Sequence, residues 1–362
     1  MNRLGVLIMR LEKRPERSAA MALASPFMAL AMTVVTAAAI FALRGNNPFI
    51  ALYVYFVEPL TALWSVEQLL VKASPLILIG AGLAVAYRAN IWNIGAEGQL
   101  TAGAILAGAV PVFFTQWQSP LTLAAMIVLG IVGGMLWAAI PALLRNRFNA
   151  NEILTSLMLV YVVQLMLDYL VRGPWRDPQG FNFPKSVTFA DWQLLPYLTP
   201  GIHAGVLVSI LLALLLGFMV SRTIKGFEIT VSGLSPRAAR FAGFSEKRTV
   251  LFCMMLSGGL AGLAGAFEIS SVVGQLQPQV SPGYGFAAII VAFLGRLNPV
   301  GVIFAGLLLA LSYIGGEAVQ TALQIPDKIT RVIQGILLFY ILACDTLINY
   351  RIVFAAPVGG RT

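Results

Sequence analysis

Residues Asn90, Ile91, Trp92, Asn93, Ile94, Gly95, Ala96, Glu97, Gly98 and Gln99 form a polar, glycine-bearing break between two apolar runs. Asn93 and Gln99 offer neutral hydrogen-bonding groups, Glu97 a carboxylate, and Trp92 with nearby Tyr87 aromatic surfaces. Such a set suits the binding of a molecule with hydroxyls and a flat ring, because sites of this kind take orientation from few polar groups and area from apolar walls. An unpaired carboxylate or amide in hydrocarbon is costly, so a break like this is tolerated only where it is buried in protein or lines a wet cavity. Two readings follow: a transport pathway or hinge, and an ordinary polar loop between two spans. Bond chemistry is not indicated. The single histidine, His203, reads as an interfacial side chain. Cys253 and Cys344 lie in apolar runs without metal-type spacing, so neither a metal site nor a disulfide framework is expected. No catalytic residue is expected, and no G-x-x-x-x-G-K-[ST] loop is present to cradle ATP.

Other polar groups interrupt apolar runs: Gln164, Asp168, Glu268, Glu317, Gln334 and Asp345. Charges in spans usually face a bundle interior or water, which makes each a candidate for the pathway. Asp168, Glu317 and Asp345 are near run ends and can snorkel to an interface. Glu268, embedded among Gly265, Ala266, Phe267 and Ile269, is the strongest of the set. The glycines of 130–134 and 258–265 are read as close helix packing.

The elements that must position these residues are membrane helices. Hydrophobic residues make up 59% of the 362 and charged residues 11%, with a mean hydropathy of +0.84; a soluble domain carries about 25% charge. Residues 1–20 form a basic amphipathic lead, and 21–43 is a charge-free run too long for a signal-peptide core. The stretch 44–73, with Glu58 and Glu67, reads as an interfacial segment with a short amphipathic helix. Spans follow at 74–89, 94–114, 121–144, 153–171, 202–221, 250–273, 283–297, 300–318 and 329–347. The fold class is therefore all-α, a polytopic membrane protein of about ten transmembrane helices. The membrane domain covers 21–350, and 351–362 is a cytoplasmic tail. With the basic lead inside, internal segments hold most of the 24 Lys and Arg, so both termini are expected in the cytoplasm. That placement accounts for the formal charge of +9 without nucleic acid, for which no binding module is found.

The second and eighth spans are short, and they align without gaps: Val85-Ala86-Tyr87 against Val291-Ala292-Phe293, then Ile91 against Leu297 and Ile94-Gly95 against Val300-Gly301. Paired interrupted segments in two halves point to a transport site. Both run in the same direction, so no inverted repeat is inferred. The loop 222–249 holds Pro236-Arg237-Ala238-Ala239-Arg240-Phe241-Ala242-Gly243. This predicts a short helix that starts at proline and stops at glycine, with arginines three apart on one face. It suits docking into a cleft on a partner, although a basic loop also needs no partner to explain it.

Asn93-Ile94-Gly95-Ala96-Glu97-Gly98-Gln99 followed by Thr101-Ala102-Gly103-Ala104 resembles the signature of ABC-transporter permeases of the branched-chain amino acid and simple-sugar type, particularly the nucleoside-importer branch. Asn151-Glu152-Ile153-Leu154-Thr155-Ser156-Leu157-Met158-Leu159 is similar to a further family segment. So are Ser257 to Gly265, and Gly283-Tyr284-Gly285-Phe286 with Gly295-Arg296-Leu297-Asn298-Pro299. The matches are in order over 74–345, which makes them far more specific together than singly. Two departures stand out: Thr230-Val231-Ser232-Gly233 replaces an R-A-x-G of the family's main loop, and Val160 stands where asparagine is common.

The resemblance implies alternating access driven from outside the chain. Its implied substrate pathway comprises Asn93, Glu97, Gln99, Trp92, Glu268 and Asn298. Glu228, Gly233, Arg237, Arg240 and Gly243 would belong to the coupling surface for an ABC ATPase subunit. The other implied partners are a second permease subunit in a heterodimer, an extracytoplasmic substrate-binding protein and membrane lipid. No cofactor is expected in this chain, with ATP on the partner subunit. The substrate implied is a nucleoside, with a simple sugar as the alternative; an ion-coupled secondary transporter using Glu97 and Glu268 is a separate class.

Overall fold

The structure is a computed structural model that describes residues 8–13, 19–326 and 328–355. Arg3, Arg14, Arg17 and Arg361 of the basic ends lie outside the described residues. Among those described, thirteen α-helices carry the chain and strands are few. Nine helices are long and apolar enough to cross a membrane. They are α1 (Ala19–Leu43), α3 (Leu63–Arg88), α4 (Ala96–Phe113), α5 (Leu121–Phe148), α6 (Glu152–Arg172), α7 (Ala204–Arg222), α10 (Glu246–Glu268), α12 (Pro299–Leu323) and α13 (Lys328–Asn349). The others are α2 (Pro48–Phe56), α8 (Ile224–Leu234), α9 (Pro236–Phe241) and α11 (Tyr284–Leu294).

Residues 1–54 and 319–362 form one compact unit, and 55–318 a second. In the first, α1 packs on α13, and Thr36 Oγ1 and Tyr340 Oη are hydrogen-bonded at 2.9 Å. Strand β1 (Ile8–Lys13) pairs antiparallel with β4 (Tyr350–Ala355), Ile8 facing Ala355 and Lys13 facing Tyr350. Across this pairing Arg351 Nη2 reaches Glu12 Oε2 at 2.9 Å.

The second unit holds the core. Helix α10 crosses α4 and α5 where glycines replace side chains. A Cβ on Gly134 would run into the backbone of Gly258 and Gly262, and one on Gly103 into that of Gly262 and Gly130. Small residues here let backbones touch, the arrangement that drives helix association in lipid. The packing reading of both glycine runs is what the structure shows. Outside this core a two-stranded ribbon, β2 (Tyr197–Thr199) with β3 (Ile202–His203), precedes α7. His203, just before α7, is buried, and burial pushes its pKa down to about 4, leaving it neutral.

Two span assignments are corrected. The segment 44–73 is not wholly interfacial: after α2 and a 3-10 turn at Glu58–Leu60, α3 begins at Leu63 and runs 26 residues. Glu67 lies inside this helix, and Lys72 further along it forms an ion pair with Glu317 of α12. The segment 283–297 does not cross. Helix α11 has 11 residues, which at about 1.5 Å per residue is roughly half of the ~30 Å hydrocarbon core. The two aligned segments are thus unequal in length, and the argument from paired short spans does not hold.

Their ends nevertheless match. Asn90 takes φ +58° and Arg296 +57°, Ile91 N–H donates to Ala86 C=O at 3.0 Å, and Leu297 N–H to Ala292 C=O at 2.9 Å. Both helices stop in the same left-handed cap, whose sixth-to-first bond satisfies carbonyls the helix leaves open. Tyr87 and Phe293, aligned in sequence, stack at 5.5 Å.

Candidate substrate pathway and coupling surface

Helix α3 stops at Arg88, and the chain passes through Ala89–Gly95 before α4 begins. Asn93 organises this break. Its Nδ2 donates to Gln99 Oε1 at 2.8 Å and to Ser257 Oγ at 3.0 Å; its Oδ1 accepts from Gln99 Nε2 at 2.9 Å and from Gly95 N–H at 3.1 Å. Asn93, Gln99 and Ser257 are all buried. Leaving such an amide unpaired would cost about 1–3 kcal/mol, and the reciprocal pairing avoids that. In this conformation both amides are engaged with each other rather than open to a solute.

The aromatic pair is likewise internally matched. Trp92 lies 5.1 Å from Tyr87 and 6.1 Å from Phe293, ring centre to ring centre. Trp92 Nε1 donates to Asn90 Oδ1 at 3.1 Å, and Tyr87 Oη to Asn93 C=O at 2.9 Å. The three rings form one stack that ties the end of α3 to the end of α11.

Glu97 sits in the first turn of α4 and reaches a different element. Its Oε2 accepts from Gly285 N–H at 2.6 Å, in the first turn of α11. Ser281 Oγ joins the carboxylate and accepts from Gly283 and Tyr284 N–H at 3.0 and 2.9 Å. A carboxylate is well placed here, since the open N–H groups and dipole of a helix start favour negative charge. The approach needs Gly285: a Cβ there would collide with the backbone of Glu97 and Ala96. Glu268, buried in the last turn of α10, has Lys72 and Glu97 as charged neighbours. Asn298 is exposed before α12, where its Oδ1 accepts from Val300 N–H at 3.1 Å. Val160, buried, lies 2.9 Å through its Cα from where a Cβ of Gly98 would sit. An apolar residue therefore packs α6 on α4 at this position.

The loop after α7 folds into α8 and α9. Thr223 caps α8 by accepting from Gly226 N–H at 3.2 Å, and Ser235 caps α9 by accepting from Ala238 N–H at 3.4 Å. Proline at the first position and Gly243 at φ +83° close the helix at both ends, as its sequence predicts. Arg237 and Arg240 are exposed on α9, with Arg240 Nη2 3.6 Å from Glu246 Oε2, and Phe241 beside them is 93% exposed. Gly233 touches the break: a Cβ there would strike the carbonyl of Arg88. A small cavity of about 60 Å³ lies between the loop and the break, bounded by Asn90, Ile91, Arg145, Pro236 and Arg240.

Glu228 fixes α8 to α10. Lys225 Nζ donates to its Oε2 at 2.9 Å and Thr249 Oγ1 to its Oε1 at 2.7 Å. Burial raises its pKa, but those bonds and the Lys225 charge outweigh burial and hold it below its ordinary 4.5. The linked stability is present above that ordinary value and is lost as pH falls through the lowered one. Protease nicking of 222–249 should accordingly stay constant down to about pH 4.5 and rise below it. Glu228→Gln should remove the dependence; an identical pH profile in that variant would dissociate Glu228 from the effect.

Residues 65–342 match the family described as branched-chain amino acid transport system / permease component. The chain belongs to that family. The permease is 38% identical over 335 residues to a glucose ABC transporter permease protein of Haloferax volcanii, covering 89% of this chain and 87% of the relative. It is 27% identical to a nucleoside ABC transporter permease protein of Lactococcus lactis, covering 87% and 89%. It is 28% identical to a guanosine ABC transporter permease protein of Bacillus subtilis, covering 78% and 84%. Among solved structures, PsaBC from Streptococcus pneumoniae aligns at TM-score 0.45 and 12% identity over 78% of this chain and 91% of that one. This permease is a multi-pass protein of the cell membrane. Among the described residues no group of His, Cys, Asp or Glu is placed to hold a metal.

Ser257, Ser281, Tyr284, Gly285 and Phe293 belong to the site and are absent from the sequence-derived set. Three of them lie in the family motifs, Ser257 opening one and Tyr284 with Gly285 inside another, and Phe293 lies in the segment aligned with Tyr87, but sequence alone does not say which side chain meets which.

Proposed function

We propose that the chain is a membrane-spanning subunit of an ABC importer for a neutral, hydroxyl-bearing solute. A simple sugar is the first reading and a nucleoside the second. The observation that carries the importer reading is the contact of Gly233 with the Arg88 carbonyl. It joins a loop shaped for docking to the break that anchors α11 through Glu97. Movement at α9 would pass into the break and, through the Glu97 carboxylate, to the start of α11. Such a chain of packed contacts between two arrangements is what alternating access requires.

The partners proposed are an ABC ATPase at α9, a second permease subunit in a heterodimer, and an extracytoplasmic binding protein. The basic residues of the internal loops support a topology with both termini in the cytoplasm. Similarity to the glucose permease favours sugar. The engagement of Trp92, Tyr87 and Phe293 with one another weakens the case for a ring-stacking platform. Similarity to the nucleoside and guanosine permeases keeps the second reading. Uptake of radiolabelled glucose, ribose, uridine and adenosine into cells bearing the whole transporter separates them: glucose uptake that nucleosides do not compete fits the first, the converse the second. Purified alone, the permease is expected to hydrolyse no ATP and to catalyse no gradient-driven uptake; proton-coupled transport by the lone chain would overturn the importer reading.

A further inference from the structure

The last two turns of α5 and the first turn of α10 frame an open groove of about 630 Å³ that belongs to neither the break nor the docking loop's contact with it. One wall is Ile140, Leu143 and Phe148 of α5, spaced to share a helix face, with Leu143 56% and Phe148 71% exposed. At about 1.5 Å per residue the wall is roughly 12 Å long, enough to lie along the upper part of an acyl chain. The groove ends in two basic residues, Arg147 on α5 and Lys247 on α10. Asn146 Nδ2 donates to the Lys247 carbonyl at 2.9 Å, so the two helix ends are tied and the basic groups held together.

The charges distinguish this place from an ordinary lipid-facing surface. Neighbouring Arg145 pairs with Glu152, and Arg240 with Glu246. Among the described residues, Arg147 and Lys247 take part in no ion pair. Both stand on the side that carries α8 and α9, the cytoplasmic side of the proposed topology. Apolar wall below and unmatched positive charge at the rim are the two halves of an anionic phospholipid, whose headgroup phosphate meets Lys and Arg at the membrane surface.

We infer that this groove binds one anionic glycerophospholipid of the cytoplasmic leaflet, phosphate on Arg147 and Lys247 and an acyl chain along α5. The tie between α5 and α10 would then be braced by lipid at the foot of the helix that carries Glu268. The probe is phosphatidylglycerol, counted by native mass spectrometry on the whole transporter extracted from vesicles of phosphatidylcholine with and without it. Wild type should retain phosphatidylglycerol in preference to phosphatidylcholine. The double variant Arg147→Gln, Lys247→Gln should hold it about 30-fold less tightly, two basic contacts being removed. Leu143→Trp, which fills the groove without changing charge, should displace it as well, so the result does not hang on one variant's folding. Equal retention of both lipids, or undiminished retention in both variants, would overturn the inference. A photo-crosslinking side chain at position 148 that captures the second permease or the ATPase instead of lipid would overturn it too.

Discussion

Glu97→Ala is expected to lower solute uptake by the assembled transporter about 100-fold while the chain still inserts and assembles. The carboxyl group accepts the Gly285 N–H at 2.6 Å, and leaving that buried donor without a partner costs about 1–3 kcal/mol. Losing about 3 kcal/mol from the arrangement that positions α11 shifts a two-state equilibrium roughly 100-fold. Glu97→Gln keeps an acceptor oxygen and loses the charge, so a drop nearer tenfold is expected. Uptake and ATP hydrolysis should be followed together in proteoliposomes. Hydrolysis that continues without uptake fits a broken link between the break and α11. Wild-type uptake by Glu97→Ala would show that the Glu97–Gly285 bond has no part in the cycle.

The class of the protein was legible because lipid imposes it: long charge-free runs must be helices, and charge must gather in loops. The helix at Pro236 to Gly243 was legible for a local reason, since proline and glycine mark its ends by their own backbone chemistry. What composition misplaced was the start of α3. Glu58 and Glu67 make that stretch look too polar to cross, and only the fold shows that Glu58 falls in the turn before α3 while Glu67 lies inside it, with Lys72 of the same helix paired to Glu317, 245 residues away. The break itself was found from its residue types, but its internal logic was not. Asn93 and Gln99 read as free hydrogen-bonding groups until the fold turns them toward each other and Ser257. Trp92 and Tyr87 read as open surfaces until Phe293 completes the stack. Glu97 could be read as a solute or proton site because nothing local announces that Gly285 will arrive beside it. Local rules carry helix ends; pairings across hundreds of residues need the packing.

Reversing the charge of α9, through Arg237→Glu with Arg240→Glu, is expected to weaken capture of the ATPase subunit at least 30-fold and to abolish coupled uptake. Both arginines are exposed on a short, firmly capped helix, beside a phenylalanine that is 93% exposed. Arginine and aromatic side chains grouped in this way are the residues that dominate binding energy at interfaces, where truncating one costs about 2 kcal/mol or more. Phe241→Ala should therefore weaken capture by a similar amount without altering charge, which separates docking from simple electrostatic attraction. Insertion should be unchanged in all variants, because the apolar spans and the remaining basic loops set it. The Arg240 partner, Glu246, is exposed as well, and an exposed pair contributes about 0–1 kcal/mol, so its loss cannot mimic the expected effect by unfolding the loop. The measurement is a pull-down of the ATPase on the affinity-tagged permease, read beside uptake in the same cells. If the double variant retains the ATPase in full and transports normally, the arginines serve only to hold the loop on the cytoplasmic side, and the docking surface must be sought elsewhere on 222–249.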